Sequence, residues 1–131
     1  MKTIPNGFRR SVPTLVLVAL LWVGSAMAAP SNKWRIEFSG SAHSNGAIVL
    51  RVVPIGGTAT DVEILIPADA GENRVAALVR DSLFAALGKG YNVERDDGED
   101  VLVKRRRNIP DFDLILVSNS VEGVRMRLQH E

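Results

Sequence analysis

Carboxylates and cations crowd into one run, "ERDDGEDVLVKRRRN", residues Glu94 to Asn108. Glu94, Asp96, Asp97, Glu99 and Asp100 come first. Three apolar residues follow, and then Lys104, Arg105, Arg106 and Arg107. Paired carboxylates can cleave glycosidic bonds, but such an acid works from a partly dry cleft that perturbs its pKa. Here the acids surround Gly98 in a segment of turn composition, where water screens them. Calcium needs roughly six to eight oxygen ligands. "DDGED" lacks the D-x-[DN]-x-[DN]-G spacing that supplies them in a calcium loop, so a solvated turn is expected.

Nucleophilic hydrolysis needs a Ser or Cys positioned by a His. The chain has no Cys, two His and no G-x-S-x-G. His43 lies among Ser41, Ser44 and Asn45, and His130 is the penultimate residue, so both read as loop and tail histidines. A zinc site gathers about three or four ligands rich in N or S, which this composition does not offer. A phosphate cradle needs a Gly-rich loop that opens a helix. "PIGGTAT" leads into a strand pattern instead, and "ADAGEN" has one Gly between two acids. No cofactor is expected, nor any catalytic residue.

The cations remain. If a strand runs through them, Lys104 and Arg106 share one face, and Arg105 and Arg107 the other. A buried unpaired Arg is costly. Either the strand is an edge protected by its charges, or its inner cation pairs with an acid such as Glu94 or Asp113. With Arg125 and Arg127 from another strand, the run forms a candidate basic patch. Such a patch suits an extracytoplasmic protein or an anionic envelope component.

The N-terminus points outside the cytoplasm. Lys2, Arg9 and Arg10 make a positive start, and Val12 to Val23 is an apolar stretch broken only by Pro13 and Thr14. That is the pattern of a secretory leader, and it falls short of the roughly 20 residues that span a bilayer. Ala26 and Ala28 occupy the small-residue positions of a cleavage site, which places the cut between Ala28 and Ala29. The sequence around Arg9-Arg10 fits the twin-arginine consensus poorly, so the general secretory route is expected. Residues 1–28 are then a cleavable leader and 29–131 one small domain, periplasmic or secreted. The whole sequence has a net charge of +1 with 16 Lys and Arg. Three of these lie in the leader, so 13 cations face all 15 acids in the domain and its charge is −2. This balance gives no global case for nucleic-acid binding. With no Cys there is no disulfide, so packing alone must hold the domain.

The elements that would position these residues follow from periodicity. "KWRIEFSG" alternates, with Trp34, Ile36 and Phe38 on one face. "AIVLRVVPI" is apolar on both faces and reads as a central strand. "DVEILIP" alternates again, and the three predict an antiparallel meander. Val75, Leu78, Val79, Ser82, Leu83, Ala86 and Leu87 then form a helical stripe, with Phe84 off it. Asp69 and Glu72 have capping-box spacing, and Gly88 can end the helix. "YNVER" and "DVLVKRR" flank a turn at Gly98, and "FDLILVS" and "GVRMRLQ" make a last strand pair. The order βββ-α-ββ-ββ predicts an α+β domain: one curved, mostly antiparallel sheet with the helix on a face.

In rhythm, Asp61 to Val117 resembles a β-α-β-β module of phage tail-sheath and bacterial filament proteins, with a strand, an acidic cap, an Ala-rich helix and a hairpin. That resemblance implies a structural role and carries no catalytic residue. The expectation is a small exported, non-enzymatic binding domain, of accessory or inhibitor type, acting through a charged hairpin or a sheet edge. A structural subunit of an extracytoplasmic assembly is the alternative. A hydrolase using His43 and loop carboxylates comes third. Mass spectrometry of the exported protein should show a chain that begins at Ala29, and an intact Met1 would exclude cleavage.

Overall fold

The computed structural model describes residues 30–131. The expected leader and its cut at Ala28 and Ala29 lie outside the described residues.

Among the described residues, alternation of apolar and polar side chains produces seven strands, and a 3.6-residue stripe produces one α-helix. The order is β1 (Lys33–Ser39), β2 (Gly46–Pro54), β3 (Thr60–Ile66), α1 (Glu72–Leu87), β4 (Tyr91–Asp96), β5 (Asp100–Arg105), β6 (Phe112–Asn119) and β7 (Arg125–His130). This is the expected α+β domain. Every pairing is antiparallel. The strands do not form one sheet, however. They divide into a four-stranded sheet, β4-β5-β1-β7, and a three-stranded sheet, β3-β2-β6.

This division corrects two expected neighbourhoods. β1 leaves the meander and pairs with β5 and β7, while β2 and β3 stay together. The last two strands are not a hairpin: β6 joins β2, and β7 joins β1. Two tight loops carry the chain between the sheets. Gly40 and Gly123 meet backbone to backbone at positive φ, and a Cβ on Gly40 would lie 2.1 Å from the Gly123 carbonyl oxygen. Only glycine fits there.

The core lies between the sheets and under the helix. Trp34, Ile36 and Phe38 of β1 enter it, with Ile48, Leu50 and Val52 of β2 and Val62, Ile64 and Ile66 of β3. β2 is central, but only one of its faces is deeply buried, because among the described residues nothing covers the outer side of the three-stranded sheet. The strand buried on both faces is β5, where Val101 and Val103 face the core and Leu102 is buried on the other side. α1 packs against β3 and β4, one strand from each sheet, and so closes one end of the core. Its buried residues are Val75, Ala76, Val79 and Leu83.

The helix starts differently from its sequence signal. Gly71 is the N-cap and no side chain caps it. Asp69 has φ 72°, and the Glu72 carboxylate accepts a hydrogen bond from the Gly40 amide instead of closing a capping box. The expected stop at Gly88 holds, with φ 66°. Among the described residues no helix is long and apolar enough to cross a membrane.

Leu83 is fully buried and Phe84 is 50% exposed. Leu83→Ala should therefore cost about 2–5 kcal/mol, the range for a buried Leu. Phe84→Ala should cost clearly less in the same denaturant melts.

Candidate functional site

Charged side chains cover the outer face of the four-stranded sheet, and Arg35 is at their centre. Its Nη1 donates to Asp100 Oδ2 at 2.8 Å and to Asp96 Oδ2 at 3.0 Å, and its Nε donates to the Glu131 carboxylate. Lys33 Nζ holds the other Glu131 oxygen at 3.0 Å. The strand register makes this arrangement necessary. Asp100 lies directly across from Glu37 on one side and from Asp96 on the other. Like charges in such positions repel, and Arg35 bridges diagonally between two of them. Asp100 is only 9% exposed, so a cation must accompany it. Hydrogen bonds donated to Glu131, Asp100 and Asp96 outweigh desolvation and raise the Arg35 pKa far above its ordinary value. In return Arg35, and then Lys33, holds the Glu131 carboxyl below the usual carboxylate range.

The candidate basic patch does not converge. β5 is an interior strand, so the cations do not protect an edge. Lys104 pairs with Glu94 at 3.1 Å and Arg105 with Asp111 at 2.7 Å. Asp113 takes neither cation, and its Oδ1 is buried without a hydrogen-bond partner among the described residues. Arg106 and Arg107 lie beyond the end of β5 and are exposed. Arg127 pairs with Glu37 at 2.7 Å, and Arg125 lies exposed across from Ser39. Lys104 lies across from Lys33, at the other end of β1. The two groups of cations are thus a strand length apart, about 20 Å at 3.3 Å per residue.

A groove of about 480 Å³ lies between the ends of β1, β5 and β7, with Glu37, Glu99 and Asp100 on one side and Arg125 and Arg127 on the other. The Arg127–Glu37 pair crosses it. His43 is held elsewhere: its amide donates to Glu122 O at 2.7 Å, and Ser44 Oγ accepts from the Glu122 amide. The His130 ring meets Trp34 edge-on at 5.3 Å.

The sheet edges carry a pattern that the sequence reading passed over. β4 is covered, since Arg80 Nε donates to Val93 O at 3.2 Å while its guanidinium stacks over Phe84. β6 is met at its start, where Ser31 and Phe112 exchange both backbone hydrogen bonds. β3 and β7 each have one strand neighbour. Among the described residues neither has a backbone hydrogen bond beyond that ladder. β3 points Asp61, Glu63 and Leu65 outward, and β7 points Arg125, Arg127 and Gln129 outward. The alternation in "DVEIL" and "VRMRL" carries the signal of these charged faces.

Comparison of the chain with protein-family models and with curated proteins gave no match.

The depressed Glu131 carboxyl sets the sign of a pH effect. A group whose folded pKa is lowered stabilises fully above its unfolded pKa, about 4.3 for Glu, and loses that stabilisation as pH falls through the folded value. The denaturation midpoint should fall below about pH 5. Arg35→Gln should lower stability by about 1–3 kcal/mol at pH 7, through the lost charge-assisted hydrogen bonds to a nearly buried acid. It should also flatten the acid limb in a series of melts.

Proposed function

We propose that the chain is a small exported, non-enzymatic interaction module that takes up a protein partner by strand addition at an exposed sheet edge. The observation that carries this is the open edge of β7, whose alternate residues Arg125 and Arg127 point to solvent while Met126 and Leu128 pack on the core. An added strand gains affinity from the free backbone groups and specificity from alternate side chains. The other half of the basic patch is less suited to strand addition, because Lys104 and Arg105 lie on the interior strand β5, which offers no edge. The leader pattern of residues 1–28 supports a partner in the periplasm or outside the cell. An acidic strand fits the charge of this edge.

A photo-crosslinking residue at Gln129 should give protein adducts in the native envelope fraction. Arg125→Glu with Arg127→Glu should weaken them. So should added salt, since exposed charges are screened over about 8 Å at physiological ionic strength. Arg105→Glu with Arg107→Glu serves as the control and should change them little. Adducts that ignore salt and the first pair of reversals would exclude the β7 edge.

A further inference from the structure

We infer that the partner of the β7 edge is the β3 edge of a second copy of this chain. The inference rests on the strand-addition reading above and adds the identity of the occupant. Two edges whose backbone groups have no partner beyond their own ladder among the described residues carry opposite charges, with Asp61 and Glu63 on β3 and Arg125 and Arg127 on β7. Their apolar residues also correspond. Val62 and Ile64 of β3 point to the core, as do Met126 and Leu128 of β7. Side chains alternate with a period of two, so any register that aligns the core faces also brings the acids to the face of the arginines. In the antiparallel direction Asp61 then meets Arg127, and Glu63 meets Arg125. In the parallel direction Asp61 meets Arg125, and Glu63 meets Arg127. Complementarity therefore does not depend on the direction of the added strand.

The same charges select against the pairing of like edges. Two β3 edges would bring acids against acids, and two β7 edges arginines against arginines, which is destabilising for directly opposed residues. Two of the four charges are free to make the contact. Asp61 is held by Arg51, and Arg127 by Glu37. Among the described residues Glu63 and Arg125 enter no ion pair. Leu65 flanks this edge at 71% exposure, the highest of the large apolar side chains exposed among the described residues, and would be covered by the joining copy. The junction extends one copy's four-stranded sheet by the other copy's three strands. A contact between two different surfaces does not close on itself at two copies, so it builds rings or filaments.

Sedimentation velocity on the mature chain over a concentration series tests this. Species larger than a dimer should appear as concentration rises. Glu63→Arg and Arg125→Glu should each raise the concentration needed for assembly by about tenfold, since each replaces attraction by repulsion at a cross-strand pair. Neither change removes an internal ion pair, so melting should stay within error and report folding independently. Assembly that stops at a dimer, or that ignores both reversals, overturns the inference. A chain that stays monomeric yet crosslinks a foreign protein through Gln129 overturns it too, while leaving strand addition standing. A monomer with no adducts defeats both.

Discussion

Phe112 joins two sheets that share no strand. Its carbonyl accepts from the Ser31 amide and from Trp34 Nε1, both at 2.9 Å, and its amide donates to the Ser31 carbonyl. Its ring is fully buried and stands edge-on to Tyr91 at 5.1 Å. One residue of the three-stranded sheet thus engages the chain entering β1, the first core residue of β1 and the first residue of β4. A carbonyl has two lone pairs, and both are used here. The side chains of both sheets fill one common core because this seam holds their ends together. Among the described residues no such backbone tie continues along β6 beyond Phe112, and none is made at β3 or β7.

Electrostatics depends on the same register. Pairing β5 between β4 and β1 sets Asp100 between two other acids, an arrangement that would be unfavourable without Arg35. The guanidinium fork suits this position, since it can donate in several directions at once without losing its proton. Lys104, Arg105 and Arg127 of the candidate patch already have acidic partners, so the net charge of the domain says little about its surface. The informative charges are those without an internal partner.

The local structure was legible in the sequence because it depends on short-range periodicity. β1, β3 and β7 are visible in the alternation around Ile36, Ile64 and Met126, and the helix in the stripe through Val79 and Leu83. What the sequence hid is long-range. Nothing near Trp34 says that it lies opposite Val103 rather than beside β2. The loops at Gly40 and Gly123 look like ordinary turns until their mutual contact is seen. Asp69 and Glu72 matched a capping pattern by spacing, but the left-handed Asp69 backbone turns the acid away from that role. The basic run misled for a similar reason. Its charges are local, but their partners depend on which strands flank β5. The edge chemistry was present as alternating charge, but no strand can be recognised as an edge before the sheet order is known.

The order of synthesis gives the position of β1 one more meaning. The first strand of the domain lies between β5 and β7, and its register with β7 reaches from Trp34 to His130. Such a ladder closes only when almost the whole chain is available, and contacts of this sequence separation slow folding. A nascent chain thus holds β1 without its last neighbour until β7 has been made. The wiring that hides the topology from local sequence also delays its completion.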